Sequence, residues 1–73
     1  MKILTRSRVL DISSTIAALM YTNNKRLDEG TAAGINFGLV MLADEIGVLH
    51  VVQRMLNTHH GAIKEDEKNE TGN

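Results

Sequence analysis

Apolar residues Val9, Ile12, Ile16 and Leu19 recur at intervals of three, four and three. That is the seam of a helix packed along another helix. Leu10, Ala17 and Met20 widen the stripe, while Asp11, Ser14, Thr15, Ala18 and Thr22 gather on the opposite side. The pattern predicts a first helix over residues 7–22. Thr5 or Ser7 would cap it, because a hydroxyl there satisfies free backbone N–H groups. Asp11 would lie near the positive end of the helix dipole. Ser13 falls inside the apolar stripe, where its hydroxyl is expected to bond back to a carbonyl one turn earlier. Asn23, Asn24, Lys25 and Arg26 interrupt the periodicity. A short polar connection of this kind predicts an antiparallel hairpin, with Asp28 capping the next helix.

The second stretch reads TAAGINFGLVMLA from Thr31 to Ala43 and is apolar in almost every direction, Asn36 excepted. A helix apolar all round must be buried all round. A single hairpin partner cannot achieve that, so a third helix or a second chain is expected to cover the far side. Gly30, Gly34 and Gly38 lie four apart along one ridge. Each costs about 1 kcal/mol against alanine inside a helix, so the ridge is expected to lie close to a neighbouring backbone. After Ala43, a continuous helix would put Asp44 on the side of Phe37, Met41, Val48, Val51 and Met55, a costly place for a carboxylate. A turn around Asp44–Gly47 avoids this and is the favoured expectation. Beyond it, Val48, Leu49, Val51, Val52, Met55 and Leu56 form an apolar face and His50, Gln53, Arg54 and Asn57 a polar one.

Length and composition sharpen this picture. A chain of 73 residues buries only about 60% of its unfolded surface, and chains of this size commonly need disulfides, a metal or a partner. Cysteine and proline are absent, and Tyr21 and Phe37 are the only aromatic residues. The expected fold is therefore all-α: a helical hairpin or three-helix chain, one domain over residues 1–63, assembling into an oligomeric bundle. Gly34, Phe37, Gly38 and Met41 are the expected interface, in a homodimer or larger assembly. Residues 64–73 carry two lysines and four acids with no apolar side chain and are expected to be a disordered acidic tail. The longest central uncharged run, about 14 residues, falls short of the roughly 20 that span a bilayer. The start MKILTRSR is basic, but Asp11 interrupts the apolar run that follows. Neither a signal peptide nor a membrane segment is expected, and a cytoplasmic setting fits.

Candidate chemistry is sparse. The segment LADEIGVLHVVQRML resembles the helix-turn-helix pattern of DNA readers: Ala43 as the small residue, Gly47 at the turn, and Ile46, Val48 and Leu56 at packing positions. It departs from that pattern in the spacing after Gly47 and in having Leu49 where a hydroxyl usually caps the second helix. The resemblance implies base contacts from His50, Gln53, Arg54 and Asn57, between Val48 and Asn57. Phosphate contacts carry most such affinity, yet the body has only six basic residues against five acids. His50, His59 and His60 show no metal-ligand spacing. Asp44–Glu45 has no nucleophile or phosphate loop beside it. No catalytic residue, metal or cofactor is expected. The favoured expectation is a non-enzymatic protein–protein interaction module, with His50, Gln53, Arg54 and Asn57 as partner-binding residues. By analogy of class alone, it would be a regulator or inhibitor of the kind carried by phages and mobile elements. The alternative is a small DNA-binding regulator. Deleting residues 64–73 is expected to leave the melting temperature within a few degrees, measured by circular dichroism; a large drop would mean that the tail packs on the body.

Overall fold

The computed structural model describes residues 3–58. Within them the chain is all-helical, with three helices and no strand: α1 (Arg6–Arg26), α2 (Glu29–Ile46) and α3, residues 49–58, where the described chain ends. The expectations for the tail and for His59 and His60 lie outside the described residues.

Thr5 is the cap of α1, its Oγ1 accepting the Arg8 N–H at 3.2 Å. The helix runs four residues further than the periodicity predicts, through Asn23, Asn24, Lys25 and Arg26. Asparagine usually weakens a helix by bonding to nearby backbone. Here both amides are engaged across the hairpin instead. Asn23 Nδ2 donates to Asn36 Oδ1 at 2.9 Å, and Asn36 Nδ2 donates to Asn24 Oδ1 at 3.0 Å and to the Met20 carbonyl at 3.3 Å. Lys25 and Arg26 in the last turn suit the negative end of the dipole. Asn36, the polar exception in the apolar run, is thus a buried clasp between α1 and α2.

The buried stripe of α1 is Ser13, Ile16, Ala17 and Met20. It is rotated from the expected seam: Leu10 and Leu19 are about half exposed. The small side chains of Ser13 and Ala17 let the packed elements come close, which turns the longer Leu19 outward. Ser13 does not bond back to its own helix. Its Oγ is fully buried without a hydrogen-bond partner, whereas Ser14 Oγ and Thr15 Oγ1 both donate to the Asp11 carbonyl. Asp11 itself lies beyond the first turn.

Asp28 caps α2 as expected, Oδ2 accepting the Thr31 N–H at 3.0 Å. The helix buries Ala32, Asn36 and Ala43, with Leu39 and Val40 half-buried. It is therefore covered on one side only, and α3 does not cover the other. Asp44 lies within α2 on the side of Phe37 and Met41, and that side is exposed; the turn after Ile46 takes Val48, Val51 and Met55 off it. Gly47 adopts the left-handed conformation at φ 84° and ψ 22°. Its N–H donates to the Asp44 carbonyl at 3.1 Å, and the Val48 N–H donates to the Ala43 carbonyl at 2.8 Å. This pair of bonds is the Schellman motif, which closes a helix end by reusing its orphan carbonyls. Asp44 and Glu45 are exposed, while Ala43 and Val48 are buried on either side of the turn.

The core unites Ile16, Ala17 and Met20 of α1, Ala43 of α2, and Val48 and Val52 at and beyond the turn, with Leu49, Met55 and Leu56 packed against them. Asn36→Ala removes the clasp and is expected to lower stability by about 1–3 kcal/mol. Gly47→Ala forces a Cβ into the left-handed region and is expected to cost about 1–2 kcal/mol. Urea midpoints with unchanged slopes would read both losses; unchanged midpoints would mean that neither feature holds the fold.

Candidate interaction surface

The side of α2 turned away from the core carries Gly30, Gly34, Phe37, Gly38 and Met41, with Asp44 and Glu45 at its end, all exposed. Phe37 is 65% and Met41 58% accessible. A Cβ built on Gly34 or Gly38 would meet nothing within 4 Å. The ridge expected to lie against a neighbouring backbone thus faces open space within this chain. Phe37 and Met41 stand above it as two large apolar side chains flanked by gaps.

This face does not end abruptly. Ile35, Leu42 and Ile46 are 39–52% exposed. Leu42 and Ile46, with Leu39 of α2 and Ile12, Ile16 and Leu19 of α1, line a groove of about 410 Å³. A second groove, of about 360 Å³, lies between α1 and α3, with Ala17, Ala18 and Tyr21 on one side and Met55 and Leu56 on the other. Contiguous apolar surface of this kind marks interaction sites on small proteins.

His50, Gln53, Arg54 and Asn57 are all exposed on α3, opposite its buried Val52. The four are therefore brought to one polar face, as the periodicity predicts. The connection between α2 and α3 is only Gly47 and Val48, shorter than the three- to four-residue turn of helix-turn-helix motifs. Val48 is also 1% exposed and belongs to the core, so the polar face begins at His50. Arg6 and Arg8 lie at the start of α1 and Lys25 and Arg26 at its end, about 30 Å apart at 1.5 Å per residue. Among the described residues, Arg54 is the only lysine or arginine outside α1.

Among the described residues, no group of three His, Asp or Glu side chains could hold a metal ion, and no helix is long and apolar enough to cross a membrane. Lys25 Nζ stands 5.1 Å from the centre of the Tyr21 ring, a cation–π distance. Sequence reasoning missed this pair, although the i, i+4 spacing was visible.

Asp28 titrates below the ordinary carboxylate range, because the Thr31 hydroxyl and backbone N–H hydrogen-bond to its charged form. No known protein family, curated protein or solved structure matches the chain. A folded-state pKa held below the unfolded value contributes stability above the unfolded value, near 3.9. That contribution fades as pH falls through the folded value. An acid titration of helicity should therefore show Asp28→Asn losing less than the parent below about pH 4. Identical acid limbs would remove Asp28 from the account.

Proposed function

We propose that this protein is a non-enzymatic protein–protein interaction module that works as a homo-oligomer, its helices forming a bundle between copies. The observation that supports this reading is the outward face of α2. Phe37 and Met41 stand exposed over Gly34 and Gly38, on the side opposite a small core. Leaving such side chains in water forgoes roughly 1.5–3 kcal/mol each, which a second chain would recover. The polar face of α3 then remains for another protein, with Arg54 at its centre. Arginine suits that role because its planar head makes several hydrogen bonds while its stem packs on apolar surface. A regulator or inhibitor acting in the cytoplasm is the class of role that fits such a module.

Sedimentation at micromolar concentration should give at least twice the 8.0 kDa chain mass. Arg54→Ala should leave the melting temperature almost unchanged, since the residue lies off the core. It should weaken partner capture by about fivefold or more. Capture that survives nuclease and tolerates salt supports a protein partner. Binding that falls steeply with salt and vanishes with nuclease would support the DNA-binding alternative instead. A clean monomer with a sharp thermal transition would overturn the oligomeric half of the reading.

A further inference from the structure

The outward face of α2 is complementary to itself when the helix is turned end for end. At about 100° per residue, Gly30, Gly34, Phe37, Gly38 and Met41 occupy one side of the helix, directly away from buried Ala32 and Ala43. The spacing from Gly30 to Gly34 equals that from Phe37 to Met41, so two gaps and two large side chains follow each other at the same interval. Reversing a second copy about a point between Ile35 and Asn36 sets Phe37 opposite Gly34, Met41 opposite Gly30 and Gly38 opposite Ala33. Each large side chain then meets a glycine where a neighbour has room, since a Cβ at Gly34 touches nothing within 4 Å and one at Gly30 meets only Asp28 Oδ2 at 3.6 Å. A parallel pair would instead set Phe37 against Phe37 and glycine against glycine, leaving the gaps empty.

Charge points the same way. Glu45 lies on this side of the helix, near its end, and is exposed. In the antiparallel register it falls level with the hairpin turn of the other copy, where Lys25 and Arg26 end α1. Of the acids at that turn, Asp28 lies beside Gly30, its Oδ2 3.6 Å from a Cβ there and engaged by the Thr31 N–H, and Glu29 lies on another side of α2, so Lys25 and Arg26 outnumber the one acid on this face. The parallel register would bring Glu45 beside Glu45. Antiparallel α2 helices also set opposite dipole ends together.

We infer that the chain pairs with a second copy of itself through α2, antiparallel about a two-fold axis, with Phe37 and Met41 of each copy seated over the partner's Gly34 and the partner's Gly30. This rests on the self-association proposed above and specifies its geometry. A two-fold interface of this kind is closed, using the same patch on both chains. It leaves the polar face of α3 outside.

The absence of cysteine makes a clean test. Disulfides form only where Cα atoms lie within about 7 Å. In the antiparallel pair two Met41 positions lie about 16 Å apart along the helices at 1.5 Å per residue, while Met41 and the partner's Gly30 are adjacent. Under mild oxidation, Met41→Cys alone should stay unlinked, and so should Gly30→Cys alone. An equimolar mixture of the two should give the heterodisulfide dimer, and a chain carrying both should give the linked dimer by itself. A companion series uses the charges: Glu45→Arg and Arg26→Glu should each weaken self-association by about threefold, and the combined variant should restore it. Efficient self-linking of Met41→Cys, in a chain that still sediments as an oligomer, would overturn the antiparallel pairing and leave self-association standing. A parent chain that is monomeric at all concentrations would overturn both.

Discussion

The side chains that α2 buries are Ala32, Asn36 and Ala43, and that determines how much of its apolar surface is left over. Ser13 and Ala17 on one helix and Ala32 and Ala43 on the other are buried, while the largest side chains buried to within 2% are only Val48 and Val52. Small residues let helix axes approach, but they remove little apolar area from water. The larger side chains of α2, Phe37, Met41 and Leu42, are consequently outside. A core this small and an exposed face this apolar are two sides of one packing choice.

The left-handed turn at Gly47 completes the arrangement. It ends α2 where a continuous helix would have lined Val48, Val51 and Met55 up with Asp44. It also places Val48 in the core beside Ala43, so α3 starts from an anchored residue rather than a free loop. The amphipathic α3 is then oriented by Val52, with Arg54 and its neighbours on the far side. The candidate partner-binding residues are positioned by a backbone bond pattern several residues upstream of them.

Much of this was legible in the sequence. The hairpin, the Asp28 cap, the break before Gly47 and the two faces of α3 follow from period, capping chemistry and the cost of burying a carboxylate. The extra turn of α1 was not legible. Asn23 and Asn24 read locally as a helix end, and only the presence of Asn36 across the hairpin makes them compatible with helix. The rotation of the α1 seam was hidden for a similar reason. Periodicity counts Leu19 as core because it is large and apolar, whereas the packing selects Ser13 and Ala17 because they are small. The outward face of α2 was read as needing cover, which sequence can state, but its isolation from α3 is a tertiary fact.

The Asn36 clasp has a consequence for the order in which the molecule is assembled. Its bonds join residues only 12 to 16 apart in the chain, so closing the hairpin confines a short loop and carries a small entropic cost. Local closures of this kind are the fast events of helical folding. The hairpin can therefore form before α3 docks, and before most of the core exists. The glycine-gapped face of α2 is then displayed on an early structure, before the core is complete. Closure of the hairpin and completion of the core become separable steps, with the polar clasp holding the hairpin in register during the interval.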